Sequence, residues 1–358
     1  MKTRRYELPE APAPRLPIKG PAKPPAAPAK VQQLEVGERG EGQRLDNFLA
    51  RNLEGVPKTH IFRVIRKGEV RVNGKRAKPD TRLLANDIVR VPPVRVGDAA
   101  PPRRAPPAMV AGLTGAIVFE DPRLIVIDKP AGVAVHGGSG VSFGVIEALR
   151  AARPDETLEL VHRIDRDTSG LLLISRKPAA LRQLHALMRD GQVEKRYLAL
   201  VKGKWELGRK RIDVPLRTDT RVGGERTVKA HESGKEAVSV FRPVQFFGKR
   251  ATLVEVELET GRTHQIRVHM KYLGHPLFSD DFYGGDKIVK GTIYSKYKQF
   301  VENCFEICPR QALHAKTLGF KHPGTGEDVF FETEIPVDIA QVIEKWRKYV
   351  NTVGTKQA

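Results

Sequence analysis

Val161-His162-Arg163-Ile164-Asp165-Arg166-Asp167-Thr168-Ser169-Gly170 runs straight into Leu171-Leu172-Leu173-Ile174. The apolar run is short and follows a Gly-bearing turn, which marks a buried strand. Asp165 sits between the guanidinium groups of Arg163 and Arg166 at the mouth of that strand. Opposite charge favours the ionised form of a carboxylate, and an ionised carboxylate can act as a nucleophile rather than an acid. Read alone, a His-Arg-x-Asp run would be a turn in which Asp165 caps backbone and the arginines solvate it. The neighbouring segments decide against that reading.

Downstream, Leu181, Leu184, Leu187 and Met188 form the apolar stripe of a helix, and Tyr197 opens a strand that runs to Lys202. Leu253 to Glu259 alternates strictly, with Val254, Val256 and Leu258 against Glu255, Glu257 and Glu259. Thr260-Gly261-Arg262-Thr263-His264-Gln265-Ile266-Arg267-Val268-His269 then leads a strand into a helix, and Leu313-His314-Ala315 begins the last sheet strand. Upstream, Leu124 to Lys129 is a strand broken by Pro130. The Gly-rich Val135 to Gly140 segment after it is a loop that lacks the GxxxxGK[ST] spacing of a nucleotide site. Strands come singly and in hairpins with few crossover helices. The fold class is therefore α+β, with a mixed, mostly antiparallel sheet over residues 114–350 and a C-terminal tail at 351–358.

Residues 1–34 alternate Pro, Ala and Lys without periodicity and read as a basic disordered tail. A small domain follows at 35–96. Leu45, Phe48, Leu49 and Leu53 line one helix, and Ile61, Val64 and Ile65 line a second. Arg71-Val72-Asn73-Gly74-Lys75 carries an Asn-Gly hairpin signal, and Ile88 to Val91 supplies a last strand. Lys58, Arg63, Arg66, Lys67, Arg71, Lys75, Arg76 and Lys78 crowd around one helix and one turn, as a phosphate-tracking surface requires. Residues 97–113 are Pro- and Ala-rich and read as a semi-stiff linker.

The 358 residues carry 62 Lys and Arg against 42 Asp and Glu, a net charge of +20, which favours a polyanionic partner. No run approaches the roughly 20 apolar residues of a spanning helix, so no membrane role is expected. Cys304 and Cys308 are the only thiols, too few for a disulfide framework or a structural zinc site; buried in a reducing, cytoplasmic compartment, they act as small apolar residues. The N-terminus has no apolar core of a secretory signal. His162, His264 and His269 lack acidic or thiol companions at ligand spacing, so no metal is expected and the rings serve the scaffold. Arg209, Lys210 and Arg211, then Arg217, Arg221, Arg226 and Lys229 around Gly223-Gly224, read as one basic hairpin loop.

Two resemblances follow from these motifs. Residues 35–96, through Arg44-Leu45-Asp46 and the Arg66-to-Lys75 turn, resemble the alpha-L RNA-binding fold, which implies structured-RNA binding and no chemistry. Asp165 to Gly170, Lys195 to Leu200, Thr260 to His269 and Leu313 to Ala315 together resemble the RNA pseudouridine synthase family. His136-Gly137-Gly138-Ser139-Gly140-Val141 and Asp280-Asp281-Phe282-Tyr283-Gly284 narrow this to the branch acting on large-subunit ribosomal RNA.

That resemblance implies a redox-neutral isomerisation needing neither cofactor nor metal, by a monomer that flips a uridine out of its RNA. It implies Asp165 as the nucleophile, or the group that triggers loss of the base, with Arg267 as its partner. Tyr197 would stack on the flipped base and accept a proton. Leu313 would wall the pocket, Arg163 would fill the gap left by the base, and Arg262, His264 and Gln265 would bind substrate. Transfer RNA is the alternative substrate, and a non-catalytic ribosome-assembly factor the alternative class; Asp165, Tyr197 and Arg267 together favour the enzyme. Two positions depart from the family pattern: Ile164 stands where Leu is usual, and Ser279 where the broader family has Gly.

Overall fold

A computed structural model describes residues 30–53, 56–94, 105–138, 141–220, 226–288 and 295–354. They fall into two compact units divided after Pro102. Most of the expected basic tail, residues 1–29, lies outside the described residues.

In the first unit, strand β1 (Gln32–Glu35) leads to helices α1 (Leu45–Asn52) and α2 (Lys58–Lys67), then to β2 (Arg71–Val72), β3 (Lys75–Arg76) and β4 (Ile88–Val91). The sheet order is β1-β4-β2-β3. Leu45, Leu49, Ile61, Ile65, Val70, Leu83 and Val89 close a single core. The expected tail ends sooner than its composition suggested, because Leu34 docks on this core and β1 pairs with β4 along Gln32–Glu35. Asn73 and Gly74 join β2 to β3 with φ of 48° and 76°, as a two-residue hairpin turn demands.

The second unit opens with helix α3 (Pro107–Gly115), a correction to the expected linker. Pro107 is tolerated in a first helical turn, where its missing N–H would be unpaired anyway. Leu113 is buried, and Met109 and Val110 pack beside it. The chain continues through β5 (Ile117–Glu120), β6 (Leu124–Lys129), α4 (Val145–Ala152), β7 (Glu159–Leu160), β8 (Ser169–Ser175), α5 (Pro178–Arg189), β9 (Glu194–Lys202) and β10 (Lys210–Asp213). Next come β11 (Leu216–Thr220), β12 (Arg226–Ala230), β13 (Val238–Phe247), β14 (Ala251–Leu258) and α6 (Gln265–Tyr272). The chain ends with α7 (Ser295–Ile307), β15 (Leu313–Lys321), β16 (Asp328–Glu332) and α8 (Val337–Gly354). Thus β15 is not the last strand, and α8 runs through much of the expected C-terminal tail, its Trp346 buried among Phe278, Cys304 and Ile343.

The main sheet is ordered β10-β13-β14-β9-β15-β8-β6-β5, with β16 beside β15 and β7 beside β8. All pairings are antiparallel except β8 with β15, which is parallel at His314 opposite Ser169 and Ala315 opposite Gly170. The fold is α+β with a mixed, mostly antiparallel sheet. Strand β8 is buried on both faces: Leu172 and Ile174 enter one core, Leu171 and Leu173 another. That explains why its sequence is continuously apolar rather than alternating. Where β8 meets β15, a Cβ on Gly170 would lie 2.2 Å from the Ala315 carbonyl oxygen, and its φ is +109°. Only glycine fits there, and this crossing fixes the turn that carries Asp165.

Candidate active site

Asp165 lies on the turn between β7 and β8, closed by Thr168 N–H donating to the Asp165 carbonyl at 3.2 Å. The turn is anchored from below by Lys129 at the end of β6. Its fully buried ammonium donates to the carbonyls of Pro130, Val133 and Arg166 at 2.8, 2.9 and 2.9 Å. Burial pushes this amine down to about 7, with Asp167 opposing the shift.

Helix α6 brings Arg267 to Asp165, Nη1 to Oδ2, at 3.3 Å. The expected pair therefore forms, but it is the lesser contact of that guanidinium. Nε and Nη2 hold Asp280 in a fork at 2.7 and 2.9 Å. Asp280 is fully buried and also accepts the Tyr283 N–H at 3.2 Å. Burial alone would lower Arg267, yet Asp280's hydrogen bonds and charge, then Asp165's charge, hold it above its ordinary value. Asp280 is the residue that sequence reasoning missed. A buried arginine needs a fully paired carboxylate, and Asp165, 18% exposed, cannot be both that partner and free for chemistry.

His264 caps α6 in a left-handed conformation, φ 53°, which turns its ring into the site. Nδ1 lies 2.9 Å from the Tyr283 hydroxyl, which itself donates to the Val228 carbonyl at 3.3 Å. The hydroxyl therefore accepts from Nδ1–H, and the neutral ring keeps a lone pair on Nε2, 3.9 Å from Asp165 Oδ2. Burial lowers the ring's pKa and so favours that neutral form. The other two histidines serve the scaffold as expected. His162 Nε2 accepts the Leu173 N–H at 3.1 Å, and its ring is held down to about 3 by desolvation. His269 bridges Ser239 and the Val214 carbonyl.

Asp165, His264 and Arg267 line a cleft of about 640 Å³ together with Tyr197, Ile164 and Leu313. Tyr197 is buried, and burial followed by the charge of Asp165 raises its phenol, which stays protonated near neutrality. Arg163, Arg189, Lys195 and Arg262 supply positive charge around the lining. Arg262 is tied by Nε to the Glu236 carbonyl at 2.8 Å. Gln265 departs from its expected substrate role. It is buried, its Oε1 accepts from Thr260 Oγ1 and Arg262 N, and its Nε2 donates to Val238 O and Ser239 Oγ. All four of its hydrogen-bonding positions are spent on the scaffold.

The Gly-rich loop carries no anion site among its described residues. The carboxylate of Glu147 accepts the N–H groups of Gly137 and Gly144, occupying the N-terminus of α4 with the protein's own charge. No group of three or more His, Cys, Asp or Glu able to hold a metal occurs among the described residues. The cysteines are buried free thiols, pushed up by burial to about 11 for Cys304 and 12 for Cys308. Among the described helices none is long and apolar enough to cross a membrane.

In the first unit, Arg63, Arg66, Lys67, Arg71, Lys75 and Arg76 are exposed along α2 and the β2–β3 hairpin. Lys58 opens α2, and its side chain lies outside the described residues. Arg76 lies against Gly68 and donates to the Arg66 carbonyl at 2.8 Å, which joins helix end and hairpin into one basic face. The basic hairpin of the second unit is narrower than expected. Lys210 and Arg211 belong to edge strand β10, where Arg211 pairs with Glu259. Arg217 and Lys229 share Asp219 across β11 and β12, and the tip at 221–225 lies outside the described residues.

Comparison with known proteins agrees with this geometry. A family model described as RNA pseudouridylate synthase matches residues 123–272, and an S4 domain model matches 43–89. Ribosomal large subunit pseudouridine synthase C of Pasteurella multocida is 46% identical over 321 residues, covering 89% of this chain and 94% of that one. The protein of the same name from Escherichia coli K12 is 46% identical over 308 residues, covering 86% and 93%. The solved structure of human RNA pseudouridylate synthase domain containing 4 shares the fold, with a TM-score of 0.54 at 24% identity over 67% of this chain and 96% of that one. Identity of this order along nearly the whole length establishes that the chain belongs to the RNA pseudouridylate synthase family and carries an S4 domain ahead of its synthase domain.

Proposed function

We propose that this protein isomerises uridines of large-subunit ribosomal RNA to pseudouridine, with Asp165 as the catalytic carboxylate. The observation that carries the reading is Asp165 itself: a partly exposed carboxylate lining a cleft large enough to admit a nucleoside, beside an arginine whose charge Asp280 already balances. The C1′–N1 bond of uridine breaks, a C1′–C5 bond forms, C5 gives up a proton and N1 gains one. Nothing is oxidised or reduced, so the step calls for no redox cofactor. Flipping the base out costs a few kcal/mol in lost stacking, which Arg163 offsets by filling the gap.

Tyr197 stacks on the extruded base as a neutral phenol, and Leu313 closes the opposite wall. Asp165 Oδ2 and His264 Nε2 present two acceptors to donors of the base and ribose, and Arg262 holds the backbone at the cleft edge. The first unit tracks phosphates through Lys58, Arg63, Arg66, Lys67, Arg71, Lys75 and Arg76, which raises affinity without reading sequence. The buried free thiols fit a cytoplasmic site of action.

The test is turnover and binding on one transcript of large-subunit RNA. Asp165→Asn is expected to lose activity by more than about 1000-fold while binding RNA within a few-fold of wild type. Retained activity in that variant would remove the carboxylate from the mechanism.

A further inference from the structure

Arg310 lies between α7 and β15, outside both segments that match family models. Its side chain is only 9% exposed, and all three guanidinium nitrogens are engaged. Nε and Nη2 grip the Asp338 carboxylate at 2.7 and 3.0 Å. Nη1 donates to the Asp167 carbonyl at 2.9 Å and reaches those of Gln311 and Leu313, each at 3.3 Å. Nη2 also reaches Ser169 Oγ at 3.3 Å. Asp338 in turn is held in the first turn of α8, where its Oδ1 accepts the Ile339 N–H at 2.8 Å.

Docking α8 would need only the pair with Asp338. Beyond the contacts to Gln311 and Ser169, two of the remaining contacts of this rigid fork go to segments that carry cleft residues. One is the backbone two residues beyond Asp165, and the other is the carbonyl of Leu313, whose side chain lines the same cleft. The carbonyl one residue nearer Asp165, that of Arg166, is held by Lys129. A planar guanidinium has little freedom once five groups are bound to it, so it acts as a spacer of fixed length.

We propose that Arg310, braced by Asp338, is a positioning residue for the reaction at Asp165, setting the separation between the Asp165 turn and the Leu313 wall. This role rests on the synthase function proposed above. Reacting atoms held an ångström out of place cost on the order of 100-fold in rate.

The experiment uses the full-length protein in large excess over a large-subunit RNA transcript that wild type modifies. At saturation, the single-turnover rate constant does not depend on what fraction of the enzyme is folded. Arg310→Met is expected to slow that constant by about 100-fold, and Asp338→Asn by about 10-fold, with RNA affinity within about twofold of wild type. The double variant is expected to be no slower than Arg310→Met, because both changes act through one contact. A lowered melting temperature with an unchanged rate constant in either variant would reduce Arg310 to a helix-docking residue and overturn the proposal. Should Arg310→Met fail to fold, Asp338→Asn decides by the same criterion. A wild type that modifies no uridine in the transcript would overturn the parent function, and this role with it.

Discussion

At the scale of the residue, the site depends on a division of labour between two aspartates. Asp280 balances the charge of Arg267 so that Asp165 need not. Asp280→Ala should therefore cost about 3–5 kcal/mol of stability, since it strands a buried guanidinium. Urea unfolding measures it, and a loss under about 1 kcal/mol would mean that Asp165 or solvent substitutes freely. Ser279 sits at φ 61° with its buried hydroxyl unpartnered. Ser279→Gly should raise stability by roughly 0.5–1 kcal/mol, strain relief outweighing the entropy of the new glycine. A decrease would show that the hydroxyl has a role in the folded state. His314 is buried with Nδ1 against Ser169 Oγ, and burial holds it down to about 4. Its folded pKa lies below the unfolded value of about 6.5, so between those values the unfolded chain binds more protons and stability falls as pH falls. The loss between pH 7 and pH 5 amounts to about 2 kcal/mol from this ring, and His314→Asn should shrink the measured drop by that amount. At this scale the sequence revealed Asp165, Arg267, Tyr197 and Leu313 through their motifs, and the cleft brings all four together. Asp280 stayed hidden because no spacing tells which carboxylate a buried arginine chooses. Gln265 misled because a polar residue in a motif looks the same whether it faces substrate or backbone.

At the scale of the element, the β8–β15 crossing is the part least tolerant of change. Gly170→Ala would place a methyl against the Ala315 carbonyl at a φ that alanine avoids, and is expected to cost more than about 3 kcal/mol. Chemical denaturation tests this, and a variant of wild-type stability would mean that the parallel pairing shifts freely. Periodicity located α1, α2, α5 and β14 through their repeating apolar positions, the apolar run after Tyr197 located β9, and Asn-Gly turn chemistry located the β2–β3 hairpin. Periodicity failed for α3, where Pro and small residues mimic a linker and only the packing of Leu113 reveals a helix. It failed again for β1, too short for its alternation to be recognised without its partner β4.

At the scale of the whole molecule, affinity is assigned to the basic first unit and chemistry to the second. RNA binding should weaken by at least about 10-fold between 50 and 200 mM salt. Removing residues 1–96 should weaken binding, flatten that dependence and leave some turnover on short RNA. A truncated protein with the full chain's affinity and salt response would mean that the first unit does not bind this substrate. The most direct test of the central claim is chemical mapping of pseudouridine in large-subunit ribosomal RNA from cells with and without the protein, each complemented by wild type or Asp165→Asn. The proposed function requires that specific sites vanish without the protein and return with wild type only. Unchanged maps in its absence, or full restoration by Asp165→Asn, would contradict it.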